Sequence, residues 1–263
     1  MILNSEITAH QVEIVERVLW TLTFAAQLVL LVVLVGRDRA RRYPWFTTGI
    51  ALAALDLMAN VLLQGRMDRI LLQEILIPLG GLSAIVALLV VTEAAWQAFA
   101  KAPRAQWIAN SAGLLAVSGV LLTISGPWPV WKQLDWNAPM LKLSLLQFFG
   151  KKVELLAALL ILGVCVLVVI FGRSFKAGWR SHTQSIVIGL TAVAVALLGL
   201  EVVIAQTAHV TKANYANVML WRLGFAFGHE IIYIAALVWW IVWLWRDEPG
   251  AAALQEETPQ TSE

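Results

Sequence analysis

The feature of this sequence that most limits its possible folds is a succession of long apolar runs. Each run extends for about twenty residues, the helical length that crosses a bilayer core about 30 Å thick. The runs are continuous and lack the alternation of a membrane β-barrel, so they predict helices. The seven predicted spans are 18–36, 46–65, 71–99, 106–125, 150–172, 184–206 and 220–245.

Composition supports the same conclusion. Hydrophobic residues make up 60% of the chain and charged residues 14%, whereas an ordinary soluble domain is about half apolar and about a quarter charged. A soluble fold of 263 residues could not bury so much apolar surface. The sequence therefore predicts an all-α, polytopic membrane protein built as a bundle of seven transmembrane helices. Residues 1–17 are assigned to an extracytoplasmic segment, 18–245 to the transmembrane domain and 246–263 to a disordered cytoplasmic tail.

Basic residues in the connections predict the orientation of the bundle. The short link between the first two spans contains Arg37, Arg39, Arg41 and Arg42, a density typical of cytoplasmic loops. The opposite side carries nearly as many basic residues, but four of them lie in one long connection, 126–152. The amino terminus is therefore expected outside and the carboxyl terminus in the cytoplasm.

One stretch, 127–149, is too polar and too interrupted by proline to span. Its tryptophans Trp128, Trp131 and Trp136 are expected at the outer boundary of the bilayer, where indole rings are favoured. The fifth span is expected to begin early, near Met140. In the third span, Pro78 followed by Gly80 and Gly81 predicts a kink and a close helix contact.

Polar residues inside the predicted spans form stripes. A charge near the bilayer centre costs at least about 2.5–3.5 kcal/mol on insertion scales, so each needs a partner or water. The stripes are Thr48, Asp56, Asn60 and Gln64 in the second span, Trp20, Thr23 and Gln27 in the first, and Arg222, His229 and Tyr233 in the seventh. Three such faces are expected to turn toward one another. The predicted intramembrane polar cluster consists of Asp56, Asn60, Glu93, Glu201, Arg222, His229, Glu230 and Tyr233.

The depth of these residues leaves two interpretations open. Asp56, His229 and Glu230 fall near the middle of the bilayer, Glu93 nearer the cytoplasmic end of its span and Glu201 nearer the outer end. The cluster can be a hydrogen-bonded core that sets helix register. It can also be a ligand pocket or a proton-responsive site, because ionisable residues inside membranes commonly mark function and histidine can change charge near neutral pH.

Several functional classes lack their required residues. With one cysteine, Cys165, the chain can form no internal disulfide and no Cys-x-x-Cys site. His229 is the only histidine at mid-membrane depth and no His-Glu-x-x-His motif occurs, so no metal, haem or other cofactor is expected. The seventh span contains no lysine for retinal, and no phosphate-binding glycine loop is present. A net charge of +2 without a basic patch argues against nucleic acid.

The motifs "RRYPWF" after the first span and "WLWRDEP" after the last resemble those of a diffuse group of bacterial seven-helix integral membrane proteins of unassigned function. The resemblance covers most of the chain through these juxtamembrane motifs. It implies a multi-pass protein of the bacterial inner membrane and assigns no activity or site residue.

Three functions are compatible with these observations. The first is a non-enzymatic, sensor-like or accessory subunit that contacts a membrane protein partner or a second copy of itself. The second is a small proton-coupled transporter that uses Asp56, His229 and Glu230. The third is a membrane enzyme acting on a lipid or isoprenoid through the same carboxylates. The lack of a catalytic motif favours the first.

Overall fold

The computed structural model describes residues 2–63, 66–99, 104–124, 140–171, 182–207 and 215–247. Within these ranges the chain is all-α and contains no strand. The eight helices are α1 (Ile2–Gly36), α2 (Arg39–Arg42), α3 (Pro44–Leu63), α4 (Arg69–Ala98), α5 (Arg104–Ile124), α6 (Leu141–Phe171), α7 (His182–Gln206) and α8 (Tyr215–Trp245).

Six of the helices, namely α1, α3, α4, α6, α7 and α8, are long and apolar enough to cross a membrane. In α5 the described apolar stretch, Ser111–Ile124, is shorter. Large apolar side chains such as Val32, Ile124 and Leu220 are at least two-thirds exposed, and an exterior of this kind is stable in lipid rather than in water. The chain is therefore a multi-pass α-helical membrane protein.

Two helices extend beyond the apolar runs that signal them. α1 begins at Ile2 and α8 at Tyr215, whereas their apolar runs begin at residues 18 and 220. α6 begins at Leu141, close to the early start expected near Met140. A helix can continue past the hydrocarbon region into water, where polar side chains no longer oppose it. Hydropathy therefore marks the membrane-crossing part of a helix rather than its ends.

The helices are arranged as a closed ring with one helix outside it. α1 packs on α3, α3 on α4, α4 on α6, α6 on α7, α7 on α8, and α8 returns to α1. α4 and α7 also contact each other across the ring. α5 packs against α6 on the exterior, where Leu114 fills the space over Gly163. The ring creates an interior that all six of its helices can reach.

The end of the ring that holds the α1–α3 connection is called the arginine end. Asp38 adopts the left-handed conformation, with φ 54°, and lets α2 fold back tightly after α1. The guanidinium of Arg37 lies 4.8 Å from the centre of the Trp245 ring and 3.6 Å from the carboxylate of Asp247. These contacts bring the end of α1 beside the end of α8.

A second close contact joins α4 to α6. A side chain on Gly150 would begin 3.6 Å from the Cα atom of Gly81, so the two helix backbones approach each other here. This is the contact that the glycines after Pro78 predict, and Pro78 itself lies within α4. The predicted positions of Trp128, Trp131 and Trp136 and the tail from residue 248 onward lie outside the described residues.

Candidate functional site: a polar cavity inside the ring

A cavity of about 440 Å³ occupies the interior of the ring. Residues from all six ring helices line it, and most of its wall is apolar. Its volume falls within the range of about 300–1,000 Å³ that is usual for small-molecule sites. Four members of the predicted polar cluster lie on its wall: Asp56, His229, Glu230 and Tyr233.

Aromatic side chains close the cavity toward the arginine end. Phe46 of α3 and Trp240 of α8 meet edge to face, with ring centres 5.0 Å apart and an interplanar angle of 84°. The indole Nε1 of Trp240 donates a hydrogen bond to the carbonyl oxygen of Ser185, at 3.2 Å. Gly189 of α7 lies directly against the indole, because a Cβ atom there would fall 2.4 Å from Nε1. Trp240 is thereby fixed between α3 and α7.

One hydrogen bond crosses the cavity wall from α1 to α8. The side-chain amide of Gln27 donates from Nε2 to the phenol oxygen of Tyr233, at 3.1 Å. Gln27 is 2% exposed, yet its Oε1 atom has no hydrogen-bond partner. The hydroxyl oxygens of Thr23 and Ser83, which also line the cavity, are buried without a partner as well. Buried polar atoms without partners are rare and call for a ligand, an ion or water.

The carboxylates of the cavity differ in their partners. Glu154 accepts a hydrogen bond from the ammonium of Lys151, at 3.0 Å. The same ammonium lies 2.9 Å from Glu201, so Lys151 joins α6 to α7. Asp56 and Glu230 make no hydrogen bond or salt bridge within the described part of the chain. The cavity wall therefore holds two carboxylates, those of Asp56 and Glu230, without a hydrogen-bonded or salt-bridged partner among the described residues.

Glu93 lies away from the cavity and caps a helix on another segment. Its carboxylate accepts hydrogen bonds from the backbone N–H groups of Trp45, at 3.3 Å, and Phe46, at 2.9 Å. These groups belong to the first turn of α3, which begins at Pro44 and has no intrahelical acceptor for them. An anion at a helix amino terminus is also favoured by the helix dipole. Glu93 therefore attaches α4 to the start of α3.

Replacing Glu93 with alanine is expected to lower the free energy of unfolding by about 1–2 kcal/mol, the usual effect of losing a helix cap. Two backbone donors of α3 would lose their acceptor. Thermal unfolding in mild detergent, followed by circular dichroism, measures the change. Glu74→Ala, at an exposed position of the same helix, is the matched control. Equal melting temperatures for the two variants would contradict the capping role.

The remaining members of the predicted cluster are dispersed. Arg222 donates to the hydroxyl of Thr207, at 2.8 Å, and to its carbonyl oxygen, at 3.0 Å, which ties α8 to the end of α7. Glu201 is bound by Lys151. Asn60 is not among the residues that line the cavity.

Thr48, predicted to share the face of Asp56, is instead exposed and donates to the carbonyl oxygen of Pro44. Thr48 and Asp56 are eight residues apart. Because each residue turns the helix by about 100°, their side chains point in directions about 80° apart around the helix axis.

Two polar side chains of the cavity wall, those of Glu154 and Ser83, are not predicted from the sequence. Glu154 lies near residue 150, where the predicted span 150–172 begins, and the predicted polar cluster does not include it. α6 begins at Leu141, close to the early start expected near Met140, and Glu154 therefore lies several turns inside the helix. Ser83 is a single hydroxyl in an apolar run and gives no signal that distinguishes it from a packing residue. The spacing of three residues between Lys151 and Glu154 predicts that their side chains meet on one face of the helix.

His229 has a second environment outside the ring. It also lines an apolar groove between α7 and α8, together with Gly199, Gly224 and Gly228. A Cβ atom on any of these glycines would meet nothing within 4 Å. His229 therefore lies between the cavity and a surface that faces lipid. Among the described residues, no three or more His, Cys, Asp and Glu side chains form a group that could hold a metal ion.

Comparison with known proteins assigns no relative to this arrangement. No protein-family model, no curated protein and no solved structure matches the chain.

Proposed function

We propose that this protein is a non-enzymatic ligand-binding membrane protein, which acts as a sensor-like or accessory subunit of a membrane complex. The observation that carries the proposal is the cavity. It is lined by six helices and contains Asp56 and Glu230 without salt bridges, beside the buried and unpartnered oxygens of Thr23 and Gln27. In a core that only sets helix register, these polar groups would form hydrogen bonds with one another.

The contacts around the cavity supply a route by which a ligand could act on the arginine end. Trp240 forms part of the wall and is hydrogen-bonded to the first turn of α7 through Ser185. In the same turn, Thr183 donates to Gln97 of α4, at 3.1 Å, and its hydroxyl lies 3.1 Å from that of Tyr43. A ligand that displaces Trp240 would therefore change contacts among α3, α4 and α7, where a partner protein can detect them.

The proposal includes seven spans, with α5 as the additional one outside the ring. The amino terminus is placed outside and the arginine end in the cytoplasm of a bacterial inner membrane, which the density of arginine beside α1 and α8 supports. Cysteine labelling tests this orientation. In a Cys165→Ala background, Met67→Cys, at an exposed site of the opposite end, should react with an impermeant maleimide added to whole cells with a permeabilised outer membrane. Labelling only after lysis would reverse the orientation.

Purification of the tagged chain from native membranes in a gentle detergent tests the subunit role. We expect either one membrane protein in stoichiometric amount or a homo-oligomer, since a subunit without a catalytic motif must act through contacts. Asp56→Asn is expected to change the recovery of that partner, whereas Glu74→Gln, at an exposed site, should leave it unchanged. A chain that is strictly monomeric and solitary would contradict the proposal.

A proton-coupled transporter is the second candidate function. The position of His229 between the cavity and the lipid-facing groove favours it, because a carrier needs a group that meets two environments. Accumulation of a cavity ligand in proteoliposomes, driven by an imposed pH gradient, would establish transport. Binding without any gradient-dependent accumulation is the result that the sensor-like role requires.

A further inference from the structure

The charges on the cavity wall have one sign. Three carboxylates, those of Asp56, Glu154 and Glu230, line it, and no lysine or arginine is among the lining residues. Lys151 compensates Glu154 from outside the lining. Among the described residues that line the cavity, only the His229 side chain can become cationic, and it immediately precedes Glu230 on α8. A ligand that supplies positive charge would complement this wall, and an anion would be repelled.

The polar groups of the wall that have no hydrogen-bond partner also favour a ligand with N–H donors. The Nε2 atom of Gln27 donates a hydrogen bond to Tyr233. The acceptor atom Oε1 of the same side chain has no partner. The carboxylates of Asp56 and Glu230 can only accept while they are ionised. Thr23 and Ser83 add two hydroxyl groups without a partner, and each can donate one hydrogen bond and accept others, so the acceptors still outnumber the donors because of the carboxylates. This wall therefore has an excess of acceptors, and its ligand should be rich in N–H donors.

The rest of the wall is suited to an apolar group. Ile50, Leu57, Ile161 and Val193 line the same cavity, and aromatic rings of Trp20, Phe46 and Trp240 complete it. Aromatic faces attract cations as well as apolar surface. The ligand is thus expected to combine a positively charged donor group with an apolar body, rather than to be a bare inorganic ion.

From these three observations we propose that the cavity binds an organic cation of the amine or guanidine class, with its charged N–H group directed at Asp56 and Glu230. The oxygens of Gln27 and Thr23 are covered by neighbouring atoms in the free protein, and they accept the remaining N–H groups after their side chains rotate toward the ligand. The apolar body lies toward Phe46 and Trp240. This assignment rests on the proposed ligand-binding function and adds the chemical class of the ligand.

Three probes of similar size and different charge test the assignment. Benzylguanidinium is a permanent cation, benzylurea its neutral counterpart and phenylacetate an anion. Calorimetric titration of the purified protein in a non-ionic detergent should give benzylguanidinium an affinity at least about tenfold above that of benzylurea, because truncating a buried charge pair changes affinity by this much or more. Phenylacetate should not bind measurably.

Variants test whether the negative charges of Asp56 and Glu230 cause the preference for benzylguanidinium. The double variant Asp56→Asn, Glu230→Gln should reduce benzylguanidinium affinity to that of benzylurea, and Glu74→Gln, at an exposed position of α4, should leave it unchanged. If the double variant fails to fold, Glu230→Gln alone should still reduce the ratio of the benzylguanidinium affinity to the benzylurea affinity. Retention of the full preference by a folded double variant would overturn the assignment.

The probe series also distinguishes this assignment from the proposed function. Equal or tighter binding of benzylurea or phenylacetate to the wild-type protein would reject an organic cation and retain a ligand-binding cavity. Absence of binding for all three probes would contradict both the cation assignment and the ligand-binding role. The recovery of a partner from native membranes is independent of either result.

Discussion

Replacement of Gly189 with alanine is expected to lower the free energy of unfolding by about 3 kcal/mol, the combined effect of overpacking and of a strained hydrogen bond. The new methyl carbon would lie 2.4–2.8 Å from three atoms of the Trp240 indole. That ring is 1% exposed and packed against Phe46, so it cannot move aside without breaking its bond to Ser185. Thermal unfolding in mild detergent should show a clearly lowered transition.

Gly199 supplies the matched control for this prediction. It lies on the same helix, and a Cβ atom there would meet nothing within 4 Å. Gly199→Ala should leave stability unchanged or raise it by up to about 1 kcal/mol, because alanine has the higher helix propensity. If the two variants unfold at the same temperature, the close packing of Gly189 on Trp240 is not a determinant of stability.

The second large effect is expected at Ala53, a small residue on the cavity wall. Ala53→Phe would place a ring in the volume that the benzyl group of benzylguanidinium needs. Binding of that probe should weaken about a hundredfold or more, which corresponds to about 2.7 kcal/mol. Calorimetric titration under the conditions used for the wild-type protein measures the change.

Ala51→Phe is the control, since Ala51 lies on the same helix at an exposed position. Addition of an apolar ring to a lipid-facing surface should alter neither folding nor binding. Unchanged affinity in a folded Ala53→Phe variant would show that the probe binds elsewhere, and it would remove the cavity as the ligand site.

Local helical geometry predicts several of the polar side chains on the cavity wall. The stripes of α1 and α8 place Gln27 and Tyr233 on inward faces, and the structure joins them by a hydrogen bond. The stripe of α3 is less regular, because steps of four residues drift by about 40° each. Asp56 consequently lies on the wall, while Thr48 faces outward. Face assignments by spacing are therefore dependable over one or two turns and degrade beyond that.

Sequence alone does not separate the acidic residues of the spans by role. Asp56, Glu93 and Glu201 all appear as single acids in apolar runs. Glu93 caps α3, Glu201 binds Lys151, and Asp56 lies in the cavity without a salt bridge. The groups that distinguish them are contributed by other helices. No pattern within one span contains that information.

The membrane character of the chain and the positions of its apolar helices follow from the sequence by itself, because a hydrocarbon phase accepts only continuous apolar segments whose backbone hydrogen bonds are internal. Tertiary structure decided the closed ring of six helices, the exterior position of α5 and the grouping of Asp56 and Glu230 with Thr23 and Gln27 around one cavity. Such grouping depends on which helices are neighbours. Lipid-facing surfaces of similar hydrophobicity do not specify neighbours, whereas close contacts such as Gly189 on Trp240 and Gly81 on Gly150 do.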